Sequence, residues 1–207
     1  MSLFLFRADG CSPTVLRAFV VAIVGNLFGA AASPVAGAAE IFTEIEGSGL
    51  DFVHFNGATG DYFLPEITCG GAAFLDYDND GDLDIYLLQG QLLGETEMAS
   101  ALYPPPDGVP LADRLYRNDS HLLPGGELRL QFVDVTDASG IVADYYGCSA
   151  TVGDFDNDGW VDLYLANLGP NQLWHNQADG SFAAVDLPGG LADDRWSIPT
   201  TWFDFDN

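Results

Sequence analysis

No lysine occurs among these 207 residues: all six basic residues are arginine, set against 31 aspartates and glutamates for a formal charge of −25 at pH 7. So acidic a surface repels nucleic-acid phosphate, and no basic or aromatic-interleaved stretch offers a compensating groove, which excludes nucleic acid as a partner. Helical patterning is also missing, since no 11-residue window combines a 3.6 period with caps. Beyond residue 38 no apolar run is long enough to span a bilayer. Only three cysteines and three histidines are present. Hydrophobic residues nonetheless make up 48% and aromatics 13%, so the chain is not a disordered acidic tail.

The acids are unevenly placed, and eleven of them fall in three related stretches. Asp76-Tyr77-Asp78-Asn79-Asp80-Gly81-Asp82-Leu83-Asp84 is followed by the apolar run Ile85-Tyr86-Leu87-Leu88. It returns as Asp154-Phe155-Asp156-Asn157-Asp158-Gly159-Trp160-Val161-Asp162, followed by Leu163-Tyr164-Leu165. A third copy begins at Asp204-Phe205-Asp206-Asn207. The repeat extends beyond the loops. Arg114-Leu115-Tyr116-Arg117-Asn118 matches Gln172-Leu173-Trp174-His175-Asn176, and Phe132-Val133-Asp134-Val135 matches Phe182-Ala183-Ala184-Val185. Phe42-Thr43-Glu44-Ile45 is a further copy of that last element and is expected to complete a shared blade. Each segment is short, β-branched or aromatic, and bounded by Gly, Asn, Asp or Pro, the signature of a strand.

Four short strands per unit predict one antiparallel sheet per repeat that stacks on its neighbours, radially as the blades of a β-propeller or linearly as a solenoid. The expected fold is all-β: a partial propeller with two complete four-stranded blades and parts of others. Loop-to-loop spacing is 78 residues and then 50, mostly because of an insertion at 89–110 with a Tyr-Pro-Pro-Pro tract. Long loops on rigid scaffolds tend to carry recognition, which makes this insertion a candidate binding element beside the plainer reading of a tolerated surface loop. Two repeats and the start of a third fall short of the four to eight blades that close a ring, so the sequence is expected to be a fragment of a longer protein.

Residues 1–38 read as an export signal. Arg7 and Arg17 precede an apolar run at 18–32, and Ala36-Gly37-Ala38 offers a cleavage site. The mature domain is then 39–207, secreted or displayed at a cell surface (periplasmic or extracellular), with no membrane span. Cys11 leaves with the leader. Cys69 and Cys148, at nearly equivalent points of neighbouring repeats, either form a bridge in an oxidising compartment or remain two buried thiols.

Carboxylates at positions 1, 3 and 5 of a tight turn converge on a point, Gly at position 6 permits the turn, and the position-7 carbonyl can add a ligand. The position-9 carboxylate sits in an apolar strand, where an ionised group is costly without a cation. Hard oxygen ligands, with no cysteine or histidine nearby in sequence, favour Ca²⁺ over zinc or copper. An EF-hand is excluded because position 12 is Leu87 or Leu165 rather than Glu.

The runs G-G-A-A-F-L-D-Y-D-N-D-G-D-L-D-I-Y-L and A-T-V-G-D-F-D-N-D-G-W-V-D-L-Y-L resemble FG-GAP/VCBS repeats, the calcium-loop blades of integrin α-subunit propellers. With G-L-D-F-V-H-F-N-G and Y-F-L-P-E ahead of the first loop, the chain is similar to the cartilage acidic protein/UnbV-like branch. The resemblance implies calcium between the first two strands of a blade. Its ligands would be Asp76, Asp78, Asp80, Asp82 (backbone) and Asp84 in the first loop, and Asp154, Asp156, Asp158, Trp160 (backbone) and Asp162 in the second. Asp204 and Asp206 match the start of a third. The function implied is a calcium-binding, non-catalytic extracellular module that adheres to a protein or glycan partner. Two alternatives stay open: an accessory propeller of a larger secreted enzyme, and an acidic structural matrix protein.

Among other residues, His54, His121 and His175 have no telling partner in sequence and read as surface or hydrogen-bonded histidines. Ser149 lacks the second Gly of a nucleophile elbow. Glu66 and Glu127 have no more claim to a glycosidase pair than any two of so many acids. Trp174, Trp196 and Trp202 are expected in the core between blades, and Trp160 at the propeller surface. Asn118-Asp119-Ser120 is a sequon.

Overall fold

A computed structural model describes residues 3–6, 42–187 and 194–203. The chain opens with a ribbon of β1 (Leu3–Phe6) paired antiparallel with β2 (Phe42–Ile45). Phe42-Thr43-Glu44-Ile45 joins neither four-stranded sheet among the described residues. Most of the expected export signal, residues 7–38, lies outside them.

Two four-stranded antiparallel sheets follow. The first has the order β3 (Ala72–Leu75), β4 (Asp84–Leu87), β5 (Arg114–Asn118), β8 (Phe132–Asp134). The hairpin β6 (His121–Leu122) and β7 (Leu128–Arg129) projects between its last two strands. The second sheet runs β9 (Tyr146–Gly153), β10 (Asp162–Leu168), β11 (Gln172–Asn176), β12 (Phe182–Val185). In both, each sheet strand pairs with the next one along the chain, the up-and-down blade expected from the repeat. Together they form a partial all-β propeller-like arrangement. Among the described residues helix is confined to two four-residue turns, α1 (Pro65–Thr68) and α2 (Thr136–Ser139), and one 3₁₀ turn at Met98–Ser100.

Alternation along the strands decides what packs where, because successive side chains point to opposite faces. Ala73, Leu75, Tyr86 and Leu115 of the first blade meet Leu163, Leu165, Trp174 and Phe182 of the second in one core. Ile85, Leu87, Tyr116 and Phe132 face the other way and are covered by Leu50 and Phe52. Every residue of β4 is buried, as befits an inner strand covered on both faces. Each buried leucine contributes about 1.5–3 kcal/mol, so neither blade can forgo its neighbour.

Backbone bonds stitch the blades together by a repeating rule. The Gly147 N–H donates to the Gln89 carbonyl (2.9 Å), and the Ser197 N–H to the Asn167 carbonyl (3.1 Å). Both donors lie seven residues before a D-rich loop and both acceptors thirteen after the first Asp of the preceding one. Gly147 suits the close approach, since a Cβ there would meet Leu88 side-chain atoms at 3.0 Å. A Cys69–Cys148 disulfide adds a covalent link at this junction, with Cα atoms 4.1 Å apart, and decides between the two cysteine readings. Trp196 donates its indole N–H to Cys69 Sγ (3.2 Å).

The core expectation for tryptophan holds for Trp174, which is buried, but not for Trp202, which is exposed and stands edge-on to Tyr164. Trp202 belongs to the lead-in of the third D-rich loop, the edge of what the structure describes, and lies beside Gly153. Trp196 is half-buried.

Candidate metal centre

The two complete loops fold into the same hydrogen-bonded turn, bond for bond. In the first, Asp76 accepts the N–H groups of Asp80 (3.1 Å) and Gly81 (3.0 Å), and Asp80 Oδ1 accepts that of Asp82 (2.9 Å). In the second, Asp154 accepts from Asp158 (3.0 Å) and Gly159 (2.9 Å), and Asp158 Oδ1 from Trp160 (2.9 Å). Two left-handed residues close each turn: Gly81 and Gly159 at position 6 (φ 93° and 91°), and Asn79 and Asn157 at position 4 (φ 57° and 60°). Asn is among the few side chains that tolerate this region, which explains D-x-D-N-D-G.

The position-9 carboxylates anchor each loop to its blade. Asp84 Oδ2 accepts the Tyr77 N–H (3.0 Å) and Oδ1 the Asn118 N–H (2.8 Å). Asp162 accepts likewise from Phe155 (3.0 Å) and Asn176 (2.9 Å). Asp84 is 1% exposed and Asp162 0%. Burial pushes the Asp84 carboxyl up to about 7, only partly offset by its two N–H donors, with Asp78 and Asp80 adding repulsion. Asp162 is raised for the same first reason. Burial and the neighbouring acids also raise Asp78.

Of the residues singled out from the sequence, positions 1, 3 and 9 come together. One oxygen each from Asp76, Asp78 and Asp84 lie within 4.8 Å of one another, as do those of Asp154, Asp156 and Asp162. Position 5 joins neither triad, although in the second loop Asp158 groups with Asp156 and His175, and position 7, Asp82 or Trp160, meets position 5 through a backbone N–H. Trp160 is half-buried. Asp204 and Asp206 lie outside the described residues.

A divalent cation fits this donor set. The triads are all oxygen, their carboxylates repel one another, and Asp78 Oδ1 is buried without a hydrogen-bond partner. A hard ion there would relieve the burial that raises Asp84.

His175 departs from its reading as a histidine with no telling partner. Its Nε2 lies 3.1 Å from Asp156 Oδ2 and 3.5 Å from Asp158 Oδ2, over positions 3 and 5 of the second loop. The ring also meets Phe155 edge-on. Arg117 occupies the matching place in the first blade, paired with Asp119 (2.7 Å) and acting electrostatically on Asp78. The aligned strands R-L-Y-R-N and Q-L-W-H-N carried this signal: a basic residue precedes Asn in both. His54 and His121 behave as read, each donating an Nδ1–H to a backbone carbonyl, of Leu88 and Asp119 respectively.

Asn118 and Asn176 were missed as well. Each supplies the backbone N–H that holds position 9, and each side chain donates back into the loop, to Leu83 (3.0 Å) and Val161 (3.2 Å). Asn118 is the sequon asparagine, and a glycan on its amide would compete with that bond. Ser149 bonds Thr200 (3.1 Å). Glu66 is buried in α1 and Glu127 is exposed in the β6–β7 turn.

A family model described as an FG-GAP-like repeat matches residues 154–207, about a quarter of the chain, beginning on the first aspartate of the second loop. No curated protein matches the chain. An FG-GAP-type repeat is thus present, and the bond-for-bond likeness of the first loop to the second shows that residues 76–84 fold in the same way.

Proposed function

We propose that this chain is a calcium-binding, non-catalytic β-propeller repeat module that works outside the cytoplasm by holding a protein or glycan partner. The observation that carries the reading is the duplicated loop, in which carboxylates at positions 1, 3 and 9 converge while position 9 is buried at the root of a strand. Two such loops with one network argue for a structural ion in each blade rather than for solvated acidic turns. The ligands proposed are Asp76, Asp78, Asp80, the Asp82 carbonyl and Asp84, and Asp154, Asp156, Asp158, the Trp160 carbonyl and Asp162. Asp204 and Asp206 would open a third site. Calcium supplies charge neutralisation and crosslinks each turn to its strand.

The Cys69–Cys148 bridge supports an oxidising compartment, in keeping with an export signal at 1–38. No helix among the described residues is long and apolar enough to cross a membrane. Membership of the cartilage acidic protein/UnbV-like branch is part of the same proposal. Isothermal titration of the chain with calcium tests it, with about one ion per complete loop expected. Binding of many ions at once, without saturation near two, would point instead to an acidic matrix protein.

A further inference from the structure

The metal loops occupy one end of the β3–β4 hairpin, and the chain entering β3 and leaving β4 occupies the other. At that far end two segments, 56–68 and 89–110, are held together. The Leu102 N–H donates to the Ala58 carbonyl (2.7 Å), the Phe55 N–H to Gln89 Oε1 (2.7 Å), and the Phe63 ring lies 3.4 Å from where a Cβ on Gly94 would stand. The insertion is therefore fastened to the blade.

This joined surface carries large apolar side chains in solvent. Tyr62 is 89% exposed, Ile67 81% and Tyr103 65%, with Leu64 and Leu102 more than half exposed. Tyr62 holds a left-handed backbone (φ 60°), unusual for an aromatic residue, in the conformation that leaves its ring outside. Monomeric proteins seldom leave such side chains grouped without a use. Within these two segments the charges have one sign. Asp61, Glu95, Glu97 and Asp107 are exposed within the same two segments, and residues 42–113 contain neither arginine nor lysine. Buried Glu66 has one carboxylate oxygen without a hydrogen-bond partner.

We propose that this surface docks a cationic polypeptide segment that also carries apolar side chains. The assignment rests on the reading of the chain as a binding module and names its partner class. Apolar contact comes from Tyr62, Ile67 and Tyr103, and charge complementarity from the acids around them. An anionic glycan is repelled by the same acids. The Pro104-Pro105-Pro106 tract keeps the insertion stiff, so little entropy is lost on docking.

The experiment measures fluorescence anisotropy of labelled twelve-residue peptides with the full chain in saturating calcium. The probes are alternating Arg/Leu, alternating Arg/Ser and alternating Glu/Leu. The Arg/Leu peptide is expected to bind at least tenfold more tightly than Arg/Ser, and Glu/Leu not at all. A Tyr62→Asn, Ile67→Ser, Tyr103→Ser triple variant is expected to lose at least tenfold for Arg/Leu. Asn suits the left-handed position, and all three sites are exposed, so the fold is retained. Equal binding by the triple variant, or by Arg/Ser, would reduce the effect to general acidity and overturn the proposal. Competition by neutral maltohexaose would overturn it in favour of a glycan, and a dimer that the triple variant dissolves in sedimentation would do so in favour of a second copy. Calcium titration of the triple variant separates this result from the wider reading, because the loops lie at the other end of the blade.

Discussion

Asn176 and Tyr77 belong to different blades, yet the Asn176 side-chain amide donates to the Tyr77 carbonyl across 2.8 Å. Tyr77 is position 2 of the first loop. The backbone N–H of Asn176 holds Asp162, position 9 of the second. One residue therefore touches both candidate metal turns. Asn79 adds a second contact, donating to the Gly159 carbonyl (3.2 Å).

Asn176→Ala is expected to weaken calcium binding at both loops and to cost about 1–3 kcal/mol, since it strands the buried Tyr77 carbonyl. Asn118→Ala in the first blade reaches only its own loop and should affect that loop alone. Calorimetric titration of the two variants distinguishes them: a two-site change for Asn176, a one-site change for Asn118. A one-site change for both would remove the coupling.

Asp113 gives a pH prediction. It is 3% exposed, accepts the Gln89 N–H (2.7 Å) and the Tyr86 hydroxyl (3.1 Å), and burial pushes its carboxyl up to about 7. Asn171 does the same work in the second blade, accepting the Asn167 N–H (3.0 Å). A folded pKa above the unfolded one means the folded state binds the extra proton, so this group's contribution falls as pH rises from about 4 to about 7. Asp113→Asn should therefore gain stability over the parent across that window, by up to about 4 kcal/mol above pH 7. Denaturant titrations at pH 4 and pH 8 check the difference.

The Cys69–Cys148 bridge closes a loop of 79 residues. By chain entropy it stabilises the fold by about 4 kcal/mol. Paired Cys69→Ser, Cys148→Ser substitution should lower the melting temperature, and reducing agent should lower the parent's in parallel but leave the variant's unchanged.

Much of this was legible in the sequence because the repeat prints its own alignment. Strand identity and blade order follow from apolar alternation, but acids spaced around a Gly point to convergence of positions 1, 3 and 5, whereas the fold brings position 9 to positions 1 and 3 instead. What stayed hidden depends on contacts between segments distant in sequence. His175 lies 17 residues after Asp158 and gains its place over the loop only when β11 pairs with β10. Asn176 reaches Tyr77 across 99 residues. Asp113 looked like one acid among many, and only burial distinguishes it. The β6–β7 hairpin escaped notice because Leu123-Pro124-Gly125-Gly126 reads as loop while its strands are two residues each. The role of Asn at position 4 was readable in principle, since both loops have it and the backbone there is left-handed.

The central claim, an ion in each of two loops, is tested most directly by thermal melting of the parent and of Asp84→Asn, Asp162→Asn in millimolar calcium and in EDTA. The account predicts a parent melting temperature well above its EDTA value in calcium, and a variant indifferent to either. A parent that melts at one temperature in both would contradict it.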